Sequence, residues 1–116
     1  MPALNFQERF ATPVQNGQKR QTIRRIWKRP IKAGDTLYLY TGMRTHKCRC
    51  LRKIEICKST EEIEIRWNLV VFYPIGYLQW DLNRFAKYDG FNNWIEMRNW
   101  FDKKYGLPFR GVLIEW

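Results

Sequence analysis

Several patterns are missing from this chain, and each absence narrows what it can be. No apolar run is long enough to span a bilayer and no basic amphipathic helix is evident, so no membrane partner is expected. The amino terminus lacks the apolar core of a signal peptide, which leads to the expectation of a cytoplasmic protein. Cysteine numbers only 3, an odd count that suits a reducing compartment better than a disulfide framework. There is no internal repeat, low-complexity linker or second composition, so the 116 residues read as one domain, 1–116. The last absence is local. No Asp or Glu occurs from Phe10 to Gly34, so the cations there cannot pair with near neighbours in sequence. They must face water, a distant carboxylate or an anionic partner.

What is present is apolar, aromatic and basic. A hydrophobic share of 45% and an aromatic share of 16% are those of a folded protein, and the 6 tryptophans divide between core and surface. The net charge is +10, and its placement says more than its size. Residues 1–58 hold 14 of the 21 Lys and Arg but only 3 of the 11 acids, whereas residues 59–116 are close to neutral. Such a one-sided field is the footprint of a nucleic-acid binder.

The chain begins with a short apolar strand, Ala3 to Phe6. A short helix follows between Gln7 and Asn16, with Thr12 as its cap before Pro13. Gly17 supplies the left-handed position that ends it. Gln21 to Trp27 reads as extended and closes at Arg29-Pro30, since the residue before proline avoids the helical region. After the turn Ala33-Gly34-Asp35, the run Thr36 to Thr41 is β-branched and aromatic, with Leu37 and Leu39 on one face. Cys48 to Lys58 alternates, with Ile54 and Ile56 together on one face. Ile63 and Ile65 share a face in the next strand, and Leu69 to Phe72 leads to a turn at Tyr73-Pro74-Ile75-Gly76. The period then becomes helical. Asp81 caps a helix from Leu82 to Asp89 with Gly90 at its end, and Asn92 or Asn93 caps another running to Tyr105. Gly106 stops it, and Val112 to Trp116 closes the chain as a strand. This order predicts an α+β fold: a mostly antiparallel sheet, curled toward a small barrel, with two to three flanking helices.

The stretch Gly17 to Arg25 is where chemistry is expected. Lys19, Arg20, Arg24 and Arg25 surround Thr22, whose hydroxyl needs a base to act as a nucleophile. Like-charge crowding would push Lys19 toward that role by lowering its pKa. In a regular strand, residues three apart point to opposite faces, so Lys19 and Thr22 converge only if the chain bends after Gly17. The alternative is a strand threonine beside a solvated lysine. Asp89 is either an ordinary helix-end residue or an acid able to reach a basic pocket. Arg44, Lys47, Arg49, Arg52 and Lys53 form a second basic run beside the strand of Tyr38 and Tyr40. Cations there, with Lys28 earlier in the chain, would contact phosphates, and the tyrosines would stack bases at ~1–3 kcal/mol each. His46, Cys48, Cys50 and Cys57 lack the spacing of a zinc knuckle, so no metal and no other cofactor is expected.

Taken together, Phe6-Gln7 with Arg9-Phe10, then Gly17, Lys19, Thr22 and Arg24, then Gly34-Asp35 before a strand and a helix pair before the last strand, resemble the ASCH family. The resemblance covers nearly the whole chain and implies a PUA-like β-barrel. It also implies a link to RNA, and for one branch an amidohydrolase that removes the acetyl group of 4-acetylcytidine with a lysine, a threonine and a glutamate. Carried over, Lys19 is the base, Thr22 the nucleophile and Arg24 a support, while Asp89 stands where that branch has glutamate. Three functions follow as expectations. The first is a binding module for RNA, or a modified nucleotide, held by Lys19, Arg20, Arg24, Arg25, Lys28, Tyr38, Tyr40, Arg44, Lys47 and Arg49. The second is a hydrolase of acylated nucleosides using Lys19, Thr22 and Asp89. The third is a phage-type interaction factor that docks on a protein partner.

Overall fold

Leu37, Leu39 and Thr41 turn inward from the strand Leu37–Thr41 while Tyr38 and Tyr40 stay half-buried, the period-two pattern its sequence predicts. The computed structural model describes residues 3–26, 30–73, 76–78 and 81–116, with the backbone alone at Tyr77 and Leu78. It is an α+β protein with two mostly antiparallel sheets. In the smaller sheet, β1 (Ala3–Phe6) runs parallel to β3 (Leu37–Thr41), which pairs antiparallel with β4 (Arg49–Ile54). The larger sheet has the order β2 (Gln21–Arg24), β8 (Phe109–Glu115), β5 (Ser59–Ile65), β6 (Val70–Phe72) and β7 (Tyr77–Leu78). Among the described residues no ladder joins the two sheets.

Among the described residues three helices complete the order: α1 (Ala11–Gln15), α2 (Leu82–Tyr88) and α3 (Trp94–Tyr105). The first of the later caps falls where the sequence places it, and of the two asparagines offered for the second it is Asn93 that serves. Asp81 accepts from the Arg84 amide and Asn93 from the Glu96 amide, each satisfying a donor the helix cannot. From α3, Trp94, Met97 and Phe101 go into the core, and Phe101 joins a cluster with Phe91, Trp100, Tyr105 and Phe109. Burying a ring of that size contributes roughly 1.5–3 kcal/mol.

Three local expectations change. Thr12 is not a cap. A 3-10 turn, Glu8–Phe10, runs straight into α1, so Phe10 takes the cap position with no side-chain bond and Thr12 lies inside the first turn. Pro13 is tolerated because an amide there has no intrahelical partner. Ile54 and Ile56 do not share a face. The strand β4 ends at Ile54, and the Cys57 amide donates to Asp35 O at 2.7 Å while Gly34 donates to Cys57 O at 2.8 Å. That pairing rotates the chain so that Cys57 is buried and Ile56 is 67% exposed. The closing strand starts at Phe109, three residues early, because β5 offers partners as far as Ile65. Trp27, Lys28 and Arg29, and Pro74-Ile75 of the predicted turn, lie outside the described residues.

Gly111 lies in β8, between β2 and β5. A Cβ there would lie 2.5 Å from Arg24 O, a backbone atom that cannot swing aside. Replacing it, Gly111→Ala, is expected to destabilise the fold by about 1–3 kcal/mol. Urea denaturation would show this as a lower midpoint at unchanged slope, and an unchanged midpoint would refute the close approach.

Candidate functional site

The left-handed Gly17 (φ 82°) follows α1 and sends the chain back over it, so the Lys19 amide donates to Pro13 O at 2.9 Å. One residue on, Arg20 N donates to Tyr88 O at 2.8 Å, tying this segment to the end of α2 before β2 begins. This is the bend that convergence of Lys19 and Thr22 demands. Lys19 therefore meets residue 89 across 70 positions of sequence: its Nζ donates to Asp89 O and lies 3.6 Å from Asp89 Oδ1. The amine also sits 4.9 Å from the Phe10 ring centre and 5.6 Å from that of Phe6. Gly90 makes room for it. A Cβ there would come within 3.1 Å of Lys19 Cδ and 3.0 Å of Phe10, at a φ of +94° that side chains rarely adopt.

Thr22 and Arg24 share the other wall. Arg24 Nε donates to Thr22 Oγ1 at 3.1 Å, and its Nη2 donates to Asn5 O at 2.8 Å. No hydrogen bond joins Thr22 to Lys19 among the described residues. Behind Asp89, the Gln21 amide reaches both Asp89 Oδ1 and Phe85 O at 3.5 Å, long contacts that steady the carboxylate. The result is a cavity of about 70 Å³ lined by Lys19, Thr22, Arg24 and Asp89, with Phe6, Phe10 and Tyr105 as aromatic walls. It has room for a small polar group. Its rim residues Asn5, Phe6 and Gln7 also border an open groove of about 600 Å³ that carries Lys47 and Arg49.

Burial sets the electrostatics. Lys19 is 2% and Asp89 3% exposed. Desolvation lowers the Lys19 pKa to about 8, Arg24 pushes the same way, and Asp89 opposes both. Desolvation likewise raises Asp89 to about 6, against the pull of Lys19, Gln21 and Arg24. Burial also lowers Arg24, opposed by Tyr105 and Asp89. An amine and a carboxyl on either side of neutrality can trade protons with a bound group.

Of the remaining predicted residues, Lys47 and Arg49 reach only the adjoining groove and the other described ones do not line the cavity. Arg20 points away, its guanidinium 4.6 Å from the Tyr88 ring centre, and Arg25 lies over Tyr105 at 5.0 Å. Tyr38 and Tyr40 stand on the outward side of β3, with the Lys53 amine 5.7 Å from the Tyr38 ring centre. Arg44 is in an exposed loop at positive φ (68°), and Arg49 is held by Glu8 at 2.9 Å. Lys28 lies outside the described residues. Among the described residues no His, Cys, Asp or Glu cluster could hold a metal ion, and no helix is long and apolar enough to cross a membrane. Sequence reasoning missed Asn5, Gln21, Lys104 and Tyr105 as parts of the site. Asn5 acts through its carbonyl and Tyr105 through tertiary packing, so neither leaves a local signal. Gln21, the one buried amide in the basic stretch, could have been found.

The charged pair burdens folding near neutrality. Lys19 is depressed from its ordinary 10.5 to about 8, so the cost of burying its charge is full below pH 8 and relieved as pH rises toward 10.5. Asp89 is raised from 3.8 to about 6, so its favourable contribution is full below 3.8 and lost as pH rises through 6. Compared with the apolar variant Lys19→Met/Asp89→Leu, the wild type is expected to be least stable between about pH 6 and pH 8. At pH 7 the variant should equal or exceed it by about 1–4 kcal/mol. Urea unfolding of both proteins across that range checks this, and a difference independent of pH would refute a buried charged pair. No family model, no curated protein and no solved structure matches this chain, so the ligand has to be argued from these side chains.

Proposed function

We propose that the chain is an ASCH-type module, on a scaffold related to the PUA-like barrel, that binds RNA or a modified nucleotide through its basic face. The small polar cavity would take the substituent of one modified base. The observation that supports this is the meeting of Lys19, Thr22, Arg24 and Asp89 in one cavity of about 70 Å³ beside a wider groove. A polar set brought together at such cost supports a role in recognition. Arg24 and Lys19 donate, Asp89 accepts, and Thr22 does either, which suits an amide or acylamino group. The open groove, with Lys47 and Arg49 on its wall, leaves room for the sugar and its phosphate.

Hydrolysis of an acylated nucleoside is the second reading, favoured by the lowered pKa of Lys19. In that reaction neutral Lys19 takes the proton of Thr22 as Oγ attacks the acyl carbon. The tetrahedral adduct collapses, the C–N bond breaks, and Lys19 returns the proton to the departing amine. Water then cleaves the acyl–Thr22 ester.

Titration with 4-acetylcytidine, followed for both binding and cytidine release, separates the readings. Wild type is expected to bind, and Lys19→Met or Asp89→Asn to weaken binding by about 10- to 100-fold. Binding without release favours the module. Release that is abolished in Thr22→Val makes it an enzyme. RNA affinity that does not fall with added salt would sink the nucleic-acid reading.

A further inference from the structure

Lys19 and Arg20 are neighbours, yet their side chains part: Lys19 enters the cavity while Arg20 is exposed and lies over Tyr88. Arg20 belongs to a different groove, of about 560 Å³, walled by Gly17, Arg20, Arg52, Lys53, Lys58 and Trp116. It has no lining residue in common with the cavity. Through Arg20, Lys58 and Trp116 it continues into a hollow of about 140 Å³ beside Tyr88. We propose that this is a second, separate binding site, a track for the phosphodiester backbone of a single-stranded nucleic acid. It deepens the nucleic-acid part of the proposed function and stands independently of what the cavity binds.

Charge carries the inference. Two acids border the track, and both are engaged. Glu55 lies 3.4 Å from Lys53, and Glu115 accepts from Ser59 Oγ at 2.7 Å. Among the described residues no ion pair holds Arg20, Arg52 or Lys58, although each is exposed. Donors therefore outnumber acceptors throughout, which is chemistry for an anion. Shape selects the kind of anion. A lone phosphate wants donors converging on one point, as at a helix N-terminus or a tight loop. Here the cations come from three separate stretches: Arg20 ahead of β2, Arg52 and Lys53 on β4, and Lys58 ahead of β5. Spread along an open groove, they suit successive phosphates of a chain.

The test is fluorescence anisotropy of a labelled oligouridine of about 12 nucleotides, measured against salt. Wild type is expected to bind with a steep negative salt slope. The exposed double reversal Arg52→Glu/Lys58→Glu should weaken binding at least tenfold and lower the slope by about 1 to 2 units. Lys87→Glu/Lys103→Glu makes the same change in net charge at residues lining neither hollow, and should cost far less. Equal losses in the two reversals would overturn the track in favour of diffuse attraction. So would unimpaired binding by Arg52→Glu/Lys58→Glu, displacement by millimolar inorganic phosphate at constant ionic strength, or binding to phosphatidylserine vesicles with none to oligouridine. If 4-acetylcytidine fails to bind while oligouridine still depends on Arg52 and Lys58, the cavity reading falls and the track stands.

Discussion

A lysine amine and a carboxyl cannot both be withdrawn from water unless each meets the other, and Lys19 and Asp89 do so at 3.6 Å. Much of the surrounding architecture serves that meeting. Gly17 turns the chain back, the Pro13 carbonyl takes the Lys19 amide, and Gly90 leaves space for the lysine stem. The end of α2 is pinned to the same segment by the bond from Arg20 N to Tyr88 O. None of these contacts is expensive alone. Together they hold a pair whose net effect on stability is small or unfavourable, so the site is not explained by folding.

Adjacent residues with opposite destinations follow from the same bend. Once Lys19 is committed to the interior, the chain geometry turns Arg20 outward, where no acid within ten residues can meet it. The acid-free stretch therefore gives two products: one cation paired across 70 positions, and several left to water or to a polyanion. A protein needing only solubility would have no reason to keep acids out of this stretch while spending Asp89 on the interior.

The sequence made some of this legible and hid the rest for physical reasons. Helix caps are local chemistry, so Asp81, Gly17 and Gly106 could be read directly and Asn93 as one of two asparagines, whereas the cap expected at Thr12 was lost to the 3-10 turn that runs into α1. Alternation fixed the inward faces of Leu37 and Leu39 and of Ile63 and Ile65. Ile56 and Cys57 exchanged roles because a bond to the distant turn at Asp35 overrode the pattern. The parallel pairing of β1 with β3 has no signature in either strand. Within the site, Lys19, Thr22, Arg24 and Asp89 were nominated from sequence and do come together. The expected gathering of every basic residue did not occur, since charge patterning along a chain does not say which face each charge will occupy. Tyr105 joins the cavity only because the packing of α3 brings its last turn there.

Asp89 has one feature that side-chain type alone would not convey: it holds Lys19 by its main-chain oxygen as well as by its carboxylate. Below about pH 6 the carboxyl takes a proton and much of the Coulomb attraction goes. The backbone acceptor remains, at the carboxy-terminal end of a helix where a cation is favoured. Lys19 can thus keep its place while its partner titrates. A longer acid at this position would reach further into a cavity of about 70 Å³ and take space from whatever enters it. A short side chain combined with a backbone anchor leaves the amine fixed and the cavity open. Those are the two conditions a bound polar group would require.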